Sequence, residues 1–358
     1  MAASTLYAKW MCMKTRRRFR RFLLVLLLLL IGGAGVWTAL WYNISGRLIG
    51  QVQAYEAARR AEGWTISHDA PVRTGWPMAA GVRLGHLSVS GGGAYVPGGM
   101  GWTAGTLVLA LDIRHPHSLY IGISGRQSLT LGGAAPVPFQ AQRMTGEAGF
   151  HSGWRLGLMQ ISADGILAAV PAKGGAGSLS ISSMAAALRL DPAAGPGGEA
   201  LGVAAEAEGI HIPPSHMAAL GDVSRLAFDI TASGPWPAAS PKGNALASAG
   251  AWQAAGGTLR LNQFSLAAGP LRFTGQGVFR LDPQLRPDGL MTAEASGLVP
   301  MVKQLAARHL MTAHQARAAA AVLGVLIRPA GAKSLAAPLS LHDGIVGLGP
   351  IPLFRLGG

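Results

Sequence analysis

The chain has 358 residues, among them 51 glycines and 22 prolines, and only 13% are charged. So turn-rich and weakly charged a composition excludes a helical bundle and points to extended β architecture. The net charge of +14 is uneven, with seven basic side chains before residue 22, and the thin spread of the rest argues against a nucleic-acid partner.

Those seven residues lead into the most decisive stretch, residues 22–41, FLLVLLLLLIGGAGVWTALW, twenty residues without a charge and with eight leucines. A helix rising ~1.5 Å per residue spans the ~30 Å hydrocarbon core over such a length. Lys14, Arg16, Arg17, Arg18, Arg20 and Arg21 precede it, and Trp37, Trp41 and Tyr42 close it as an interfacial aromatic belt. The charge bias predicts a cytoplasmic basic tail (1–21), a single transmembrane anchor (22–42) and a body after Tyr42 that lies outside the cytoplasm. A cleaved signal is the competing reading. Signal h-regions run only ~7–15 residues, and the best small-x-small word, Gly33-Ala34-Gly35, lies inside the apolar run. A retained anchor is therefore expected. Cys12, the only cysteine, precedes the anchor without a lipobox, so the chain has no disulfide framework.

Ile44, Leu48, Val52 and Tyr55 fall on one helical face, which predicts a stalk over 43–63 that ends at Gly63 and is weakened by Gly46 and Gly50. From Trp64 the period becomes two. Leu107, Leu109, Leu111 and Ile113 alternate with Val108, Ala110 and Asp112, and Leu119, Ile121 and Ile123 repeat the pattern after His115-Pro116-His117. Val82 and Leu84 slip phase against Leu87 and Val89, which predicts a bulge at Gly85-His86. Further short strands are expected at 129–131, 179–181, 188–190, 226–230, 259–261, 271–273 and 279–281. Their off-face residues are often small and neutral, so both faces are expected to be partly covered.

Two words recur in the same order. Ala187-Leu188-Arg189-Leu190-Asp191-Pro192 returns as Val278-Phe279-Arg280-Leu281-Asp282-Pro283. Ala205-Glu206-Ala207-Glu208-Gly209-Ile210 returns as Ala293-Glu294-Ala295-Ser296-Gly297-Leu298. This predicts an internal repeat, and with it two related lobes, 64–177 and 178–358. The second copy ends in a helical hairpin at about 300–327: one helix over 300–311, then a Thr312/Gln315 capping box and a face of Ala316, Ala319, Leu323 and Leu326. Asp343-Gly344 predicts a tight hairpin between 339–342 and 345–348, and the chain leaves it extended. The expected fold class is thus mainly β with some α, an antiparallel body behind one anchor.

Chemistry is sparse. No GxSxG, Walker loop, HExxH or CxxC occurs. His115 and His117 with Asp112 are the nearest approach to a metal cluster, and the intervening proline favours a polar turn. His211/His216 and His309/His314 lack ligand spacing. Glu147, His151 and Ser152 are adjacent along the chain, whereas triads assemble across a fold. The glycines around Tyr95 precede no helix and read as loop. Trp64, Trp76, Trp102, Trp154, Trp236 and Trp252 are expected mostly at strand ends and in the core. No catalytic, metal or cofactor residue is assigned, and an enzyme is not expected.

The basic start, anchor, stalk, Gly75-Trp76-Pro77, β-rich middle and closing Leu339, Leu341, Asp343, Gly344 and 348–353 resemble the alphaproteobacterial membrane-anchored family catalogued as domain of unknown function 2125. The strands, Gly-x-Gly and helix pair of the second copy are similar to the ends of AsmA-type envelope proteins. That resemblance implies a single anchor and a β-groove body associated with lipid movement; neither family implies catalytic residues. The expected partners are the inner membrane, a lipid-like ligand and other envelope proteins. A scaffold or assembly subunit, or a hydrolase with a non-local site, is the alternative.

Overall fold

The computed structural model describes residues 3–93, 98–112, 115–151, 155–172, 175–191, 193–195, 197–213, 222–234, 245–308, 310–327, 334–348 and 351–355. Helix α1 (Ala3–Ala61) is continuous from the basic tail through the apolar run and the stalk. Leucine-rich sequence carries it, and Gly46 and Gly50 do not interrupt it. Gly46 faces the Arg73 guanidinium, which lies 3.8 Å from where a Cβ would sit, an ordinary contact distance. The helix stops at Gly63, whose φ of 87° suits glycine.

Strands β1 (Thr65–Ser67) and β2 (Val72–Thr74) both pair with β3 (Ala79–Gly91). The chain then meanders through β4 (Met100–Asp112), β5 (His115–Leu131), the short β6 (Val137–Gln140), β7 (Arg143–His151) and β8 (Arg155–Ala172). It continues through β9 (Gly175–Leu190), β10 (Glu199–His211) and β11 (Val223–Ser233) to helix α2 (Ala245–Ala254). After β12 (Thr258–Ala268), β13 (Leu271–Leu281) and β14 (Pro287–Ser296) come α3 (Leu298–Ala307) and α4 (Ala313–Ile327). Strands β15 (Ser334–His342), β16 (Ile345–Leu348) and β17 (Ile351–Arg355) close the chain. All seventeen described strands join one antiparallel sheet. It runs through residue 178 without a break, because β9 pairs with β8 on one side and β10 on the other.

Several local expectations are corrected. An irregularity does fall at Gly85-His86, where His86 takes a φ of 47° and is left out of the β3–β4 pairing, but the register is the same on both sides, so no residue is inserted there; the register shift lies one strand further on, between Ala104 and Thr106 against β5. The buried stalk face passes through Ser45, Leu48 and Glu56, while Tyr55 turns outward. A 3.6-residue period lets either 55 or 56 follow Val52, and the body takes Glu56. Residues 351–355 leave the hairpin extended, as expected, and pair as a strand with β16. Helix α3 starts two residues early, from Gly297 at a φ of 73°, and ends at Ala307.

The recurring words do occupy matching places. Asp191 and Asp282 each close the first strand of a hairpin, and each Oδ1 accepts the amide two residues on, from Ala193 at 3.0 Å and Gln284 at 2.8 Å. Gly209 and Gly297 both have positive φ, 60° and 73°. Beyond those glycines the copies part: Ile210 continues β10, whereas Leu298 opens α3. Pro192 lies outside the described residues.

Candidate functional site

Pairing aligns the alternating residues of successive strands into rows. One row runs Ala80, Leu111, Leu119, Ala148, Met159, Leu188, Val203, Ile230, Leu261, Gly277, Met291, Leu339. The next runs Val82, Leu109, Ile121, Gly146, Ile161, Ala186, Ala205, Phe228, Phe264, Gly275, Ala293, Ala337. A third runs Leu84, Leu107, Ile123, Met144, Ala163, Met184, Ala207, Leu226, Leu266, Phe273, Ala295, Leu335. Every member is apolar or glycine. Side chains alternate between faces along a strand, and a bulge between Leu261 and Phe264 absorbs the one odd spacing, on β12, so all three rows lie on one face. At ~4.8 Å per strand the twelve strands span about 50 Å, and the three rows are roughly 15 Å wide.

Helix α1 covers the start of this face. Leu48 is buried with Val82, Leu84 and Leu111, and Ile44, Ile49 and Val52 pack around them with Leu107, Leu109 and Leu119. At the far end α3 touches β13 and α4 touches β15. The large side chains between, such as Met159, Ile161, Leu226, Phe228, Phe264 and Phe273, are half-buried. Phe264 and Phe273 meet edge to face, with centroids 5.7 Å apart, so part of the shielding of each comes from its neighbour.

The opposite face is mostly small and polar, with Tyr120 and the cross-strand pair Val278 and Leu290 exposed among the polar residues. There Glu147 lies opposite Gln160, Asp229 opposite Gln263, and Arg225 Nε pairs with Glu206 Oε1 at 2.7 Å. Alanines between these longer side chains leave an open depression of about 590 Å³ bordered by Tyr120, Glu147, Gln160, Glu206, Arg225 and Asp229.

Ion pairs fix the strand ends and the helix joint. Arg286 Nε meets Asp282 Oδ2 at 2.7 Å and its Nη2 reaches Asp343 Oδ1 at 2.6 Å, tying the β13–β14 and β15–β16 turns together. Burial works to raise the Asp282 carboxyl, but it is outweighed by hydrogen bonds from the Arg286 amide and guanidinium and the Gln284 amide, and by the arginine charge. The group is held below its ordinary range. Arg286 is correspondingly pushed up, chiefly by its hydrogen bond to Asp282. At the joint, Glu56 accepts from Arg60 at 3.1 Å and faces His68.

Among the described residues, those weighed as chemistry do not gather into a centre. Asp112 pairs in register with His115 at the β4–β5 turn, and His117 is exposed beyond it; the side chain of His115 is outside the described ones. Glu147 and His151 both lie exposed on β7, four residues and therefore ~13 Å apart. Ser152, His216, His309, Tyr95, Trp154 and Trp236 lie outside the described residues. His211 pairs with Asp222 at 2.5 Å on the rim. Among the described residues, no group of three or more His, Cys, Asp or Glu is placed to hold a metal ion. Sequence reasoning missed most of the apolar rows, because a row exists only once strand pairing is known.

The first described helix is long and apolar enough to cross a membrane. Residues 41–356 match a family described as an uncharacterized protein conserved in bacteria, DUF2125, and the chain belongs to that family. No curated protein matches the chain.

Proposed function

We propose that this DUF2125 protein is a single-pass protein of the bacterial inner membrane whose periplasmic sheet binds or passes lipid-like molecules. One observation carries this reading: three unbroken apolar rows cross twelve strands and begin under the helix that also carries the apolar span. Soluble monomers rarely expose a contiguous apolar patch beyond a few hundred Å². Between the ends covered by α1 and by α3 and α4, the six strands from β7 to β12 present roughly 24 Å by 15 Å of half-buried apolar surface, which reaches that size and is longer than a single acyl chain, which fills half of a ~30 Å core. Covering even about 300 Å² of it is worth roughly 7 kcal/mol before ordering costs. The basic tail supports a cytoplasmic N-terminus.

Lipid co-purification from detergent extracts tests the reading. Phe228→Lys and Ile161→Lys place a charge on the apolar strip away from α1; each should strip bound lipid while circular dichroism shows the sheet intact. If extracts of the natural protein hold no more lipid than those of the two variants, the scaffold reading takes its place. A reporter active only outside the cytoplasm, fused at the C-terminus, should be active; an expressed but silent fusion would reverse the orientation.

A further inference from the structure

The turn at residues 75–78, Gly-Trp-Pro-Met, is not used by the apolar strip, and it is tied to the wrong part of the molecule for an ordinary surface loop. Trp37 donates its indole N–H to the Pro77 carbonyl at 2.8 Å, and Trp41 donates to the Ala79 carbonyl at 2.9 Å. Both tryptophans belong to the apolar span. Counting ~1.5 Å per residue from Phe22, Trp37 lies ~22 Å along a ~30 Å core and Trp41 ~28 Å. A backbone carbonyl bonded to Trp37 is therefore held at the level of the span's last turns. Body and helix run side by side from that point, since Leu48 meets Val82 and Leu84, and Arg60 donates to the Ile66 carbonyl beside the far end of β3.

The side chains at the turn suit that level. Trp76 is 56% exposed and Met78 73% exposed, which would be costly in water and is favourable among acyl chains and headgroups. The turn is also built rigidly. The Ala79 amide donates to the Gly75 carbonyl at 2.8 Å, and Gly75 holds a φ of 92° where a Cβ would lie 2.7 Å from the Ala79 oxygen. Just above, the Arg73 guanidinium sits 4.1 Å from the centroid of the Tyr42 ring, at the height where phosphates begin.

We infer that the Trp76–Met78 turn inserts into the outer surface of the same bilayer that α1 crosses, as a second membrane contact that seats the β3–β4 end of the sheet on phospholipid. This rests on the membrane-span reading above. The consequence for that reading is that the apolar strip begins at the bilayer surface, with no aqueous gap for a lipid to cross.

The test uses the full chain with Cys12→Ser, in phosphatidylethanolamine–phosphatidylglycerol vesicles, carrying one environment-sensitive dye at Leu28→Cys, Met78→Cys or Ala134→Cys. Trp76→Cys serves as a second reporter of the turn, and thermal melts check folding. Lipids spin-labelled high on the acyl chain should quench and blue-shift the dye at Met78 and Trp76, lipids labelled deep should quench it at Leu28, and Ala134 should remain wet. Quenching at Leu28 with the two turn positions as wet as Ala134 would overturn the inserted turn and leave the span intact. A wet Leu28 would overturn both. Quenching at Ala134 as well would mean that the body lies flat on the bilayer, which also contradicts the inference.

Discussion

His68 Nε2 lies 2.6 Å from Glu56 Oε1, and its Nδ1 lies 2.5 Å from the Asp69 carbonyl, so one imidazole joins the last turns of α1 to the loop after β1. Both side chains are about nine-tenths buried. Removing one partner of a buried pair leaves the other without compensation and costs roughly 3 kcal/mol. Glu56→Ala and His68→Ala should each lower stability by about that much, and the double variant by little more than either alone. Melts of the four proteins measure it; fully additive losses would show that the two residues act independently.

The Asp282–Arg286–Asp343 tie should be sensitive to acid in a definite direction. Because the folded Asp282 carboxyl is held below its ordinary value of 3.8, its contribution is present above that pH and is lost as pH falls through the lowered folded value. The difference in melting temperature between the natural protein and Asp282→Asn should be constant near neutrality and shrink only below about pH 3.8. A difference that faded nearer neutrality would contradict the hydrogen-bond assignment.

At the C-terminal hairpin, Thr312 Oγ1 accepts the Gln315 amide at 3.2 Å and Gln315 Oε1 accepts the Thr312 amide at 2.9 Å. Thr312→Ala should cost about 1 kcal/mol through loss of this cap, and Thr312→Ser should restore most of it. Hydrogen exchange across residues 313–318 reads the effect locally, where fraying begins.

These elements differ in how readable they are. The apolar span, the Leu48–Val52 stalk face and the Thr312/Gln315 box are legible in sequence because their signals are local: composition, a 3.6-residue period and a three-residue spacing. Strands β7 and β8 are not, since RMTGEAGFH and the following stretch are rich in glycine and alanine, and their period of two is faint. Helix α2 is hidden for a related reason, being made mostly of Ala, Ser and Gly, and it is placed by Trp252 donating to the Ser233 carbonyl at 3.0 Å. The apolar rows are illegible in principle. Ala186 and Gly275 look unremarkable until pairing sets them between Ile161 and Ala205, and between Phe264 and Ala293.

Adjacent residues on β12 separate the two faces. Phe264 is half-buried on the apolar strip, whereas Gln263 is exposed on the polar side. Gln263→Lys should change stability by less than about 0.5 kcal/mol. Phe264→Lys must bury a charge or pull it out to water, losing several kcal/mol or the bound lipid. Equal tolerance of both substitutions would mean that the apolar side is open to water along its length.

The most direct measurement is photocrosslinking in living cells, with a photoreactive residue placed in turn at Ile161 and at its neighbour Ser162. Ile161 sits in the middle apolar row and Ser162 on the opposite face of the same strand. Mass spectrometry of the purified adducts should find phospholipid attached at position 161 and none at 162. Lipid at both positions, or at 162 alone, would contradict a lipid-bearing apolar face, as would a position 161 that crosslinks only to protein.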